Sequence, residues 1–170
     1  METPLPAIGK RVLSSALTDI YAKELHVCEQ EDQFELWLMD MDDALERFHA
    51  TVPGESAEKL DFSADSLKNV EAFILRSYER VEDLRKPSEV LVWDGLTRYV
   101  GETFRKNLGG IWFIDYSDKK NAFYGLPQLK NMRGQSAQIC PMTLVSASVD
   151  RRRGDFIYTV FENIRKRGEA

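Results

Sequence analysis

The chain holds only two cysteines, Cys28 and Cys140, among 170 residues. That is too few for a disulfide framework, and it points to reduced thiols and a cytoplasmic setting. Histidine is equally scarce: His26 and His49 stand alone, with no CxxC or HExxH spacing, so neither a metal site nor a cofactor is expected. No run approaches the roughly 18 uninterrupted apolar residues that a membrane span requires. The opening Met1-Glu2-Thr3-Pro4 lacks the basic region of a secretory signal. A GxSxG elbow is absent. Gly109-Gly110 precedes a strand-like segment rather than a helix, the wrong order for a phosphate-cradling turn. The excess of 28 acidic over 23 basic residues gives a net charge of −5, unsuited to the counterion displacement of general nucleic-acid binding. Internal repeats and low-complexity tracts are also missing.

What remains is ordinary globular material, 43% hydrophobic and 30% charged, in a length that suits one domain over residues 1–170. Residues 1–6 carry Pro4 and Pro6 and read as a loose start. Apolar residues from Ala7 to Leu25 recur at helical spacing. Between Gln30 and Thr51, Phe34, Trp37, Leu38, Met41, Leu45 and Phe48 share one helix face, and Pro53-Gly54 ends the run. Residues 52–62 read as a linker. Ser63 caps a further helix that carries Leu67, Val70, Phe73, Ile74, Tyr78 and Val81 to about Leu84, closed by Pro87.

The organising stretch is Val90 to Tyr116. Val92, Leu96, Tyr99, Val100, Thr103 and Phe104 form one apolar face, while Val90, Thr97, Gly101 and Leu108 fall on the other side. Glycine costs a helix about 1 kcal/mol relative to alanine, so Gly95 and Gly101 imply closely approaching neighbours and a helix covered on two sides. Asp94–Arg98 and Glu102–Lys106 are spaced as exposed acid-to-base pairs, each worth ~0.3 kcal/mol. Gly109-Gly110 stops this helix, and Ile111 to Tyr116 follows as a buried strand. Ser117 to Asn121 forms the turn, and Ala122 to Leu126 the hairpin partner. Residues 128–138 read as a basic loop, and Ile139 as a short third strand. Pro141 opens a helix through Val149, although Thr143, Val145 and Ser146 leave a strand open. Asp155 caps a final helix ending at Gly168. The expected class is α+β: a predominantly helical domain whose central helix leads into a small antiparallel sheet.

Two charge clusters are candidate binding residues. Asp40, Asp42, Asp43 and Glu46 form either a solvated helix face or a docking patch for a basic partner. Arg151, Arg152 and Arg153 form an interhelix turn, an internal pairing with the acidic N-terminal helix, or an anion site. No catalytic constellation is legible, because Ser146 and Ser148 lie far along the chain from either histidine.

The order Leu60-Asp61-Phe62-Ser63-Ala64-Asp65-Ser66-Leu67, followed by Tyr99-Val100-Gly101-Glu102-Thr103-Phe104-Arg105-Lys106-Asn107-Leu108-Gly109-Gly110-Ile111-Trp112, resembles a pattern in small bacterial proteins of the toxin-immunity type. The resemblance covers residues 60–170. It implies a small cytoplasmic α+β domain, monomeric or homodimeric, that neutralises a cognate protein toxin by direct complex formation, without nucleic acid or membrane. Two other expectations stand beside it. One is a small hydrolase or transferase with a carboxylate site at Glu102, Asp115 or Asp94; the other is an adaptor subunit of a secretion or phage-related assembly.

Overall fold

A computed structural model describes residues 29–170 with the exception of residue 135. The chain divides into two compact units, Met1–Leu38 and Met39–Ala170. The expected helix from Ala7 to Leu25, with His26 and Cys28, lies outside the described residues. In the first unit the helical run α1 (residues 29–39) begins, and the Phe34 and Trp37 rings stack with centroids 5.9 Å apart.

The second unit is built on α6 (Val90–Leu108), the central helix expected from the sequence. Every residue from Gly95 to Phe104 is buried. The helix packs against α2 (Met41–Thr51) and α7 (Pro141–Arg151), with α4 (Ser66–Ser77) also in contact. Its two glycines mark these approaches. A Cβ on Gly95 would stand 2.5 Å from the Phe48 Cβ of α2, and one on Gly101 would overlap the Trp112 ring and meet Pro141 of α7 at 3.1 Å. Leu96, Val100 and Phe104 are fully buried, each contributing about 1.5–3 kcal/mol by leaving water. Val90, expected on a packed side, is instead 57% exposed, as is its neighbour Leu91 at 76%.

Burial also changes the meaning of the charged pairs on α6. Arg98 donates to Asp94 at 2.7 Å as spaced, yet it is 2% exposed rather than a surface group. Glu102 takes Arg105 rather than Lys106, because Arg105 reaches both of its oxygens, at 2.7 and 2.8 Å.

The helix expected over residues 30–51 is interrupted at Asp40, which sits at φ −82°, ψ 8°. Its carboxylate accepts from Arg47 at 2.6 Å and lies 3.8 Å from Arg98. Residues 52–62 do not hang as a linker: they contain the short α3 (Gly54–Ala57) and bury Val52, Ala57 and Leu60. The helix expected to run from Ala64 to Leu84 breaks at Tyr78, which is extended (φ −131°, ψ 123°), leaving α4 and the single turn α5 (Val81–Leu84). Tyr78 is itself buried and donates to Glu89 at 2.6 Å, so tertiary contacts override the continuous helical period. The residue before α4 is Asp65, without a side-chain cap, and the expected cap Ser63 lies in the preceding turn, its Oγ accepting from the Ser66 N–H at 3.2 Å.

At the end of α6, Gly109 and Gly110 take φ values of +76° and +106°, which side-chain-bearing residues resist. β1 (Ile111–Phe113) follows, shorter and less buried than expected, with Ile111 53% exposed. Its antiparallel partner is β2 (Gln128–Lys130), in the register Ile111↔Lys130, Trp112↔Leu129, Phe113↔Gln128. The segment 122–126 is not that partner, and residues 128–130 are not loop. Asp115, Asp118 and Asn121 each accept a backbone N–H two residues on, from Ser117, Lys120 and Phe123, and further turns, from the Tyr124 N–H to the Asn121 carbonyl and from the Leu126 N–H to the Phe123 carbonyl, occupy 122–126 in place of the expected strand. Ile139 bridges to Leu129 as a third rung.

Residues 141–151 form α7, with Pro141 in its first turn, which resolves the helix-or-strand alternative. After it α8 (Phe156–Glu169) runs through Gly168 rather than stopping there. A Cβ on Gly168 would come within 3.0 Å of the Arg133 backbone. At the other end of α8, the fully buried Glu71 of α4 accepts the Ile157 N–H at 3.0 Å, placing a carboxylate at the positive end of the helix dipole. No helix among the described residues is long and apolar enough to cross a membrane.

Candidate functional site

The acidic cluster divides once α2 has formed. At about 100° per residue, Asp42, Leu45, Glu46 and His49 fall in one stripe, whereas Ala44 and Phe48 point into the core. Asp40 is held by Arg47, with its carboxyl below the usual aspartate range through that hydrogen bond, and it also lies near Arg98. Asp42, Asp43 and Glu46 are exposed and form no ion pair among the described residues.

Beside the stripe lies a pocket of about 210 Å³. Leu45, Phe48, Leu60, Phe62 and Tyr99 supply its apolar wall, and Glu46 and His49 line it from α2. His49 Nε2 lies 2.9 Å from the Ala57 carbonyl oxygen. A carbonyl only accepts, so Nε2 is the donor.

Phe62 forms the least ordinary part of the wall. It adopts φ +60°, a left-handed conformation that a bulky residue takes at a cost of about 1–3 kcal/mol. Four contacts from α6 hold it there. Its N–H donates to the Tyr99 hydroxyl at 3.1 Å, and its carbonyl accepts from Asn107 Nδ2 at 2.8 Å. Its ring stacks on Tyr99 with centroids 4.8 Å apart, and the Lys106 ammonium sits 4.2 Å from the ring centre. Tyr99 is fixed in turn by donating to Ser66 Oγ at 2.7 Å, and burial pushes its phenol pKa up.

The three arginines sit far from any shared role with this stripe. Arg151 lies over the Phe156 ring at 4.7 Å, and Arg153 pairs with Asp155 at 3.1 Å. Arg152, left-handed at φ +50°, donates to the carbonyls of Leu75, Tyr78 and Glu79 at 2.9–3.0 Å, closing the C-terminal end of α4. Among the described residues these arginines meet backbone carbonyls and local groups, and the pairing with the acidic helix, one of the alternatives left open, is not formed there.

Among the carboxylates considered for catalysis, Glu102 is 4% exposed and accepts from Trp112 Nε1 as well as from Arg105. Asp94 is occupied by Arg98, and Asp115 by Ser117. A cleft of about 400 Å³ near Thr51 and Val92 went unnoticed in the sequence. Its polar groups face one another, Tyr78 to Glu89 at 2.6 Å and Lys86 to Asp83 at 2.8 Å. No cluster of three or more metal-ligating side chains occurs among the described residues.

Sequence reasoning found the acidic stripe and missed the pocket. The available signal was Leu60-Asp61-Phe62, two apolar residues inside a polar connection. Comparison with protein-family models, with curated proteins and with solved structures gives no match for this chain.

Proposed function

We propose that this chain is a non-enzymatic binding protein of the immunity or inhibitor type, which neutralises a protein toxin by covering it. The supporting observation is the join of an unpaired acidic stripe, Asp42 and Glu46, to an apolar pocket walled by Leu60, Phe62 and Tyr99. Interfaces draw their energy from a desolvated pocket and their encounter rate from charge at its rim. The strained Phe62, held by four contacts from α6, keeps that wall preformed, which lowers the ordering cost of association.

The test is a one-to-one complex with the product of the adjacent reading frame, together with protection of cells exposed to that product. Glu46→Lys, an exposed change, should weaken the complex at least tenfold without lowering stability. Absence of both complex and protection refutes the reading. Self-association without a toxin partner would instead favour the adaptor role.

A further inference from the structure

We draw no further inference here: the strongest candidate, the exposed apolar pair Val90 and Leu91 at the start of α6, with Leu91 lining a small pocket against Phe48 and Thr51 of α2, carries none because nothing in the structure shows what covers it.

Discussion

Replacing Gly101 with alanine tests whether the central helix is organised by close approach. In an isolated helix the change would gain about 1 kcal/mol. Here the added methyl would overlap the Trp112 ring and stand 3.1 Å from Pro141 Cγ. Overpacking of this kind costs about 1–3 kcal/mol. The Trp112 ring cannot swing aside freely, because its Nε1 donates to Glu102 at 2.7 Å, and losing a hydrogen bond to a charged group costs about 1.5–3 kcal/mol. The net expectation is a loss of about 2–4 kcal/mol. Urea unfolding should show it as a midpoint lowered by about 1–2 M with an unchanged slope. The same substitution in a Trp112→Leu background should cost less than about 1 kcal/mol, since the overlapping ring is gone. A midpoint that stays or rises in the otherwise native chain would refute the close-approach argument.

Glu102 supplies a pH dependence. Burial alone would raise its pKa, but hydrogen bonds from Arg105 and Trp112, with the charges of Arg105 and Lys106, outweigh it and hold the carboxyl below the usual 4.5. A depressed folded pKa gives stability that is present above the unfolded value and lost as pH falls through the folded one, so stability should decline below about pH 4.5 and Glu102→Gln should flatten that limb in acid unfolding. Arg152→Ala should cost about 2 kcal/mol in urea unfolding through loss of its three carbonyl contacts, and Arg152→Gly about 1 kcal/mol less, because glycine accepts φ +50° without strain. Equal costs would place the left-handed conformation outside the argument. Glu71→Ala should cost about 2–4 kcal/mol by opening a cavity and orphaning the Ile157 N–H, whereas Glu71→Gln, which keeps an acceptor for that N–H, should cost under about 1 kcal/mol; similar thermal or urea midpoints for the two would count against the capping role.

Elements determined by their own residues were legible in the sequence. The central helix announces itself through its apolar period, its two tolerated glycines and the Gly109-Gly110 stop, all local signals. The pairing of β1 was not legible. Gln128-Leu129-Lys130 is too short to show a period, while Ala122 to Leu126 looks more strand-like and loses that identity to the turns closed on Asn121 and Phe123. The interruption at Tyr78 goes with its hydrogen bond to Glu89, which lies next to α6, so a window read along one helix cannot contain its cause. Charge was similarly half legible: spacing found the Asp94–Arg98 pair but could not show that Arg98 is buried.

The same distinction explains why the stripe was found and the pocket was not. Asp42 and Glu46 are visible because helix geometry alone brings them together. The wall beside them exists only because α6 reaches back to residue 62, with Tyr99 accepting the Phe62 N–H and stacking on its ring while Asn107 takes the carbonyl. Tyr99 is also buried between Phe48 and Ser66, so the residue that shapes the pocket is part of the core packing of α2 and α4. Scaffold and surface are therefore not separable in this unit. The buried face of α6 sets the fold, and through Tyr99 and the exposed Asn107 the same helix also sets an unfavourable backbone conformation at Phe62. A pocket wall maintained in this way is set by the packing of the unit itself, and preorganisation of that kind lowers the ordering cost of any association.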